Sequence, residues 1–397
     1  MYPKLSDLIN GVFGTHLNLP IMSYGFFVAL AFLVGAWLLY VELKRKEKQG
    51  LIHPTTKKVS LGKPASMLEL LFNFVVVFIL AYKIAAAFTD YDNFANNPQE
   101  FLFSTEGSFW VGLIAALAYT IYFWYSKEKT KLDKPILKNV TVHAYEQTWT
   151  IAFIAAVFGI IGAKIFDQLE NWHSFVADPW GSLFSFSGLT FYGGLIFAAI
   201  AVIWYTGKHK IPWKPLSDSF APVLALGYGI GRMGCQVAGD GDWGIVNTFT
   251  KPHWLNFMPD WLWSYNYPHN IINEGVRIPG CMGEHCMQLP QGVFPTPVYE
   301  TLMMVVVFIV LWSIRKRIKI PGVLFSIYLI FNGVERFFIE HIRVDNTYDI
   351  FNHKVTQAEL ISPVLVLIGI VGWYLLVKRA KQGRGNSSST SESPTPE

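Results

Sequence analysis

The chain has 397 residues, of which 52% are hydrophobic, 16% aromatic and only 15% charged, with a mean hydropathy of +0.32 and a formal net charge of +4. That balance excludes an ordinary soluble enzyme and places the chain in a bilayer. The small positive charge is explained by anchoring at one membrane face, which removes nucleic acid as an expected partner.

Apolar runs long enough to cross roughly 30 Å of hydrocarbon, about 17 to 23 residues at 1.5 Å each, recur along the chain. Nine are read: 21–43, 68–88, 108–125, 149–168, 188–206, 217–238, 298–314, 321–340 and 360–377. Glycine and lysine interrupt the fourth and sixth. The first is read as an anchor and not as a cleavable leader, because twenty mixed residues precede it and it ends in VELKRKEKQG without a small-residue cleavage site. The expected fold is all-α: a polytopic membrane protein of about nine transmembrane helices with an outward-facing cap.

The basic residues fix the expected topology. Alternate connecting segments (42–67, 126–148, 207–216, 315–320 and from 378 onward) carry 23 Lys and Arg, and the other set carries five. By the excess of positive charge on the cytoplasmic side, the N-terminus faces outward and the C-terminus faces the cytoplasm.

In chain order, 1–67 reads as an N-terminal outward segment, the first spanning helix and a basic cytoplasmic loop. A helix pair follows over 68–145, then spanning helices over 146–236, an outward cap over 237–297, and spanning helices over 298–380. The tail 381–397 has no apolar content and is expected to be disordered. Within the cap, CMGEHC places Cys281 and Cys286 outside the cytoplasm, where a disulfide is expected. A metal site using His285 is the alternative, and it would need further ligands.

Four basic residues lie inside apolar runs: Lys83, Lys164, Arg232 and Arg336. An ionisable side chain at membrane depth costs several kcal/mol unless it faces a cavity or a partner. Lys83, close to a run's end, is expected to snorkel to the interface. Arg336, Glu340 and Arg343 stand at i, i+4 and i+7 and are expected to share a helical face. Arg232 and Arg336 both fall near the outer leaflet, either as salt bridges between helices or as a bidentate seat for a phosphate. A phospholipid is the phosphate always present there.

The stretch GIGRMGCQVAGDGDWG at 229–244 contains a G-x-G-x-x-G pattern. A dinucleotide site would need a strand before it and a soluble βαβ unit around it, and here the glycines end an apolar run. Asp240 and Asp242 lack the further oxygen ligands of a calcium loop, so no metal is expected. Gly227 and Gly231, four apart, are read as a close helix contact, while Gly193 and Gly194 suit either helix packing or the approach of an acyl chain.

These residues resemble the bacterial prolipoprotein diacylglyceryl transferases. The resemblance rests on Tyr24 in SYGFFVALAF, FGIIGAKIF around Lys164, GLTFYGGLI, GIGRMGCQVAGD, PTPVYETL and NGVERFFIEHIR, in the family's order over about 146–345. It implies a seven-helix core, so that 68–145 is an extra helix pair. It also implies transfer of the diacylglyceryl group of phosphatidylglycerol to the lipobox cysteine of prolipoproteins in the bacterial inner membrane. A thioether forms and glycerol phosphate leaves, with no cofactor. By the same resemblance Arg232 and Arg336 are the essential arginines, with Tyr192 and Glu340 beside them as catalytic groups. Arg232, Tyr24, Gly193, Gly194, Gly239, Asp240 and Glu300 are the expected substrate-binding residues. Tyr192 stands where the family often has His, which puts a histidine-base mechanism in doubt, and Cys235 and Ala238 stand where it usually has Asn. Cys235 is expected to pack, since the acceptor thiol belongs to the substrate. The competing class is a transporter or scaffold that binds anionic lipid without chemistry.

Overall fold

The computed structural model describes residues 1–96, 101, 104–133, 136–184, 188, 190–344, 347–350 and 353–389. They divide into two compact units, one made of Met1–Lys4, Met22–His53 and Ala144–Glu397, the other of Leu5–Ile21 and Pro54–His143.

The smaller unit begins with a short helix α1 (Leu5–Phe13) and is dominated by two long helices, α3 (Met67–Thr89) and α5 (Phe109–Lys129). Ser66 and Glu69 start α3 with a reciprocal cap, each side chain bonding the other's backbone N–H. α3 and α5 pack on each other, and the chain on either side of them pairs as two antiparallel strands, β1 (Thr55–Leu61) with β2 (Ile136–Val142). The segments read as basic loops thus contain a two-stranded sheet, drawn from the β-branched residues of TTKKVSL and ILKNVTV. Lys83 does not extend freely toward an interface. Its Nζ is caged by the carbonyls of Phe101 (2.7 Å), Ser104 (2.7 Å) and Glu106 (2.9 Å), so it ties the α3–α5 connection down. A short helix α4 (Tyr91–Asn96) begins that connection.

The larger unit contains seven long helices: α2 (Ser23–Lys48), α6 (Thr148–Glu170), α9 (Phe191–Lys208), α10 (Trp213–Ala238), α11 (Thr296–Ile314), α12 (Val323–Glu340) and α13 (Gln357–Ser389). Two short helices, α7 (Trp172–Ala177) and α8 (Pro179–Phe184), follow α6. α13 runs into the segment expected to be structureless, and 390–397 lies outside the described residues. Helices therefore occupy all nine apolar runs. Seven are long and apolar enough to span a membrane, and the other two are α10 and α12. Both carry charges, Lys214, Asp218 and Arg232 on one, Glu335, Arg336 and Glu340 on the other. The molecule is a multi-pass α-helical membrane protein.

α10 is the hub, packing against α2, α11 and α12. The end away from Arg232 is locked by a buried polar network. Asp218 of α10 accepts the N–H groups of Gly322 (2.9 Å) and Phe325 (3.0 Å) at the start of α12, and Lys46 of α2 at 3.2 Å. Glu42, fully buried, receives Arg45 and Arg315, the latter at 2.8 Å. Basic residues read only as a membrane anchor thus include two, Lys46 and Arg315, whose charges are spent on holding helices together.

The glycines divide by what faces them. A Cβ at Gly162 would lie 2.5 Å from the Gly193 carbonyl oxygen, and one at Gly194 would lie 3.0 Å from that of Gly159. Gly193 and Gly194 are therefore the crossing of α9 on α6. On α10 the close contacts are Gly229, whose added Cβ would lie 3.4 Å from the Thr301 carbonyl oxygen, and Gly234, 2.8 Å from the Cβ of Phe27. At Gly227 and Gly231, expected to be the close helix contact, an added Cβ meets nothing within 4 Å. The i, i+4 spacing puts them on one face, and that face is open among the described residues.

Candidate active site

α10 ends where Gly239 adopts a left-handed conformation (φ 67°) and its N–H bonds the Cys235 carbonyl at 2.9 Å. The chain turns back, and the next residues lie over the last turns of the helix. Trp243, buried, packs on Tyr267 with ring centroids 4.9 Å apart. Gly244 pairs with Arg343, and a Cβ there would be 2.4 Å from the Ile342 carbonyl oxygen, so only glycine fits. Thr296, the first residue of α11, donates to the Asp242 carbonyl at 2.8 Å.

This turn sets Asp242 between two guanidiniums. Oδ2 receives Arg232 Nη1, and Oδ1 receives Arg343 Nη2. On its other edge Arg232 Nε is ion-paired with Glu300 Oε2 at 2.7 Å. The same Glu300 oxygen accepts the Tyr228 hydroxyl and lies 3.6 Å from Arg336 Nη1, which in turn donates to the Tyr228 oxygen at 3.2 Å. Arg232 also lies 5.2 Å from the centre of the Tyr228 ring. Glu300 has no exposed surface, and the three arginine side chains are 10 to 13% exposed. Charges this far from water persist only because each is matched. Thr301, next to Glu300, bonds the Gly229 carbonyl at 3.0 Å, which explains the close approach of α11 to that glycine.

Electrostatics separates the two aspartates of the turn. Burial would raise the Asp242 carboxyl, but Arg232 and Arg343 outweigh it and hold the group below the usual range. Asp240 is pushed up, first by burial and then by the charge of Asp242. Cys235, Asp240 and Asp242 bring donor atoms within 4.8 Å of one another. With both Asp242 oxygens on guanidiniums, the cluster is organised as an ion pair and not as a cation seat.

Tyr24 stands in the first turn of α2, its Cα 3.5 Å from where a Gly234 Cβ would be, and the residue is 43% exposed. Tyr192 is half-buried in the first turn of α9. Gly239 shapes the turn, and Gly193 and Gly194 serve the helix crossing described above. Glu340 is buried, and among the described residues its carboxylate has no hydrogen-bond partner. The expected stripe of Arg336, Glu340 and Arg343 is not formed, because α12 ends at Glu340 and Arg343 turns away to Asp242. The carboxylate that orders the arginines is Glu300. Sequence reasoning did not single out Tyr228, and it weighed Asp242 only as a metal ligand and Arg343 only as part of a helical face. Tyr228 is four residues before Arg232, a spacing that places both on one helical face. Cys281 and Cys286 are joined by a disulfide, Cα atoms 5.6 Å apart.

The comparisons with known proteins point one way. A family model described as prolipoprotein diacylglyceryl transferase matches residues 100–375. The phosphatidylglycerol–prolipoprotein diacylglyceryl transferase of Staphylococcus haemolyticus is 27% identical over 277 residues, 68% of this chain and 84% of that protein. Those of Chlorobaculum tepidum and Staphylococcus aureus are each 29% identical, over 66% of this chain and 85% and 82% of their own lengths.

Proposed function

The chain belongs to the prolipoprotein diacylglyceryl transferase family, and from that premise we propose that its arginine cluster is the seat of the headgroup phosphate of phosphatidylglycerol. The protein is a membrane transferase that moves a diacylglyceryl group in lipoprotein maturation. The substrates are phosphatidylglycerol and the lipobox segment of a prolipoprotein, met at the outer leaflet of the bacterial inner membrane, with the N-terminus outside and the C-terminus in the cytoplasm. The charge asymmetry of the loops supports that orientation.

In the reaction, the lipobox thiolate attacks the glycerol carbon that bears the phosphate. A carbon–sulfur bond forms, the carbon–oxygen bond breaks, and glycerol phosphate leaves with the electron pair. Charge builds on the departing phosphate, and preorganised guanidiniums aimed at it lower the barrier. Arg232 and Arg336 are held for this by one buried carboxylate, Glu300, with Tyr228 between them. Tyr192 serves in this scheme either by donating a hydrogen bond to the phosphate or, as a phenolate, by taking the thiol proton. The open face at Gly227 and Gly231 admits the lipid next to Tyr228 and Arg232.

The observation that carries this reading is the sharing of one Glu300 oxygen by Arg232 at 2.7 Å and Arg336 at 3.6 Å. The test is to incubate the purified protein with phosphatidylglycerol vesicles and a lipobox peptide and to weigh the peptide. A mass gain of one diacylglyceryl group, with glycerol phosphate released in equal amount, is expected. Lipid binding without any thioether would overturn it in favour of a lipid-binding scaffold.

A further inference from the structure

We propose that the Asp242 carboxylate holds the place of the substrate phosphate between Arg232 and Arg343 and is displaced when the headgroup enters. Asp242 is then a positioning residue that keeps the arginines ordered and limits retention of the product. The inference rests on the reading of the arginine cluster as the phosphate seat.

The geometry is that of a surrogate. Asp242 presents its two oxygens to two different guanidiniums, Oδ2 to Arg232 and Oδ1 to Arg343. A phosphodiester offers two non-bridging oxygens that suit the same pair of donors. The carboxylate is on the open side of the cluster, 29% exposed against 13% for Arg232. Its backbone is fixed from both sides, by Thr296 on its carbonyl and by the buried Trp243 and paired Gly244 that follow. Only the side chain has to turn to vacate the seat, and no segment of chain has to move.

Charge gives the device its purpose. The lipid phosphodiester carries one negative charge, whereas the phosphomonoester that leaves carries close to two at neutral pH. An arginine cluster strong enough for the first would hold the second more tightly. A tethered carboxylate competes for the same donors at an effective concentration on the order of millimolar, and so favours release.

The test uses the full chain with phosphatidylglycerol vesicles, with glycerol phosphate as competing product. Asp242→Asn is expected to strengthen inhibition by glycerol phosphate about tenfold, the size of about one charge-assisted hydrogen bond. It should also lower KM for the lipid and slow kcat, and Asp242→Glu should return product affinity toward the wild-type value. Asp242→Ser serves as the neutral variant if the Asn form does not fold. An unchanged or weaker product inhibition in a neutral variant that still folds overturns the role of Asp242 alone. If glycerol phosphate fails to inhibit the wild type, the phosphate seat itself is wrong and this inference falls with it.

Discussion

Arg232 and Asp242, ten residues apart, are ion-paired across the turn that ends α10, so one short stretch supplies both a buried cation and its anion. The guanidinium uses two edges: Nη1 for Asp242 and Nε, at 2.7 Å, for Glu300. A lysine keeps the charge but has a single nitrogen and cannot serve both. Arg232→Lys is expected to lower kcat/KM by at least about tenfold, the size of one lost charge-assisted hydrogen bond. Thioether formation at the wild-type rate would show that charge alone suffices.

Glu300 is the shared counter-ion of Arg232 and Arg336 and the acceptor of the Tyr228 hydroxyl, and it has no exposed surface. Removing one partner of a buried pair costs about 3 to 5 kcal/mol, because the other charge is left uncompensated. Glu300→Gln is therefore expected to lower the melting temperature and abolish transfer together. A variant that melts like the wild type would mean that Asp242 alone can balance the cluster.

The two aspartates of the turn should respond to amide substitution with opposite signs. Asp242 is held low by its guanidiniums against the effect of burial, so its stabilisation is present above the unfolded carboxyl range near pH 4 and is lost as pH falls below it. Asp240 is raised by burial and by Asp242, so the folded state keeps its proton longer than the unfolded one and stability drops as pH rises through that interval. At neutral pH, Asp240→Asn should raise the melting temperature and Asp242→Asn should lower it. Thermal melts of both variants from pH 4 to pH 8 read this directly, and shifts of the same sign would refute the assignment.

Gly231 separates packing from access. Alanine there meets no atom within 4 Å and removes a helical glycine, which should stabilise the protein by roughly 0.5 to 1 kcal/mol. If lipid enters along that face, KM for phosphatidylglycerol rises in the same variant. Gly234→Ala, pressed to 2.8 Å from the Phe27 Cβ, should be destabilising instead. A stabilised Gly231→Ala with unchanged KM would remove the open face from the lipid's path.

The sequence was most legible where a single quantity decides the structure. Hydrocarbon thickness sets helix length, and helices stand at all nine apolar runs. Arg232 and Arg336 stood out because charge at membrane depth has to be matched, and they do meet through Glu300. Partner choice across the fold was less legible. Spacing put Gly227 and Gly231 on one face but could not say whether a helix lies against it, and the neighbours proved to face Gly229 and Gly234. Arg343 was assigned by helical period to the face of Arg336, and the end of α12 at Glu340 broke that period. Asp242 was weighed only as a metal ligand, since nothing local shows that Gly239 folds the turn back over Arg232. Lys46 and Arg315 read as membrane-anchoring charge because their partners, Asp218 and Glu42, are more than 170 residues away.

A structure of the protein with phosphatidylglycerol bound measures the central claim directly. The account predicts the headgroup phosphate within about 2.7 to 2.9 Å of Arg232 and bonded also to Arg336 or Arg343. A phosphate bound elsewhere, with the Arg232–Asp242 and Arg232–Glu300 pairs intact and the glycerol carbon distant from both arginines, would contradict it.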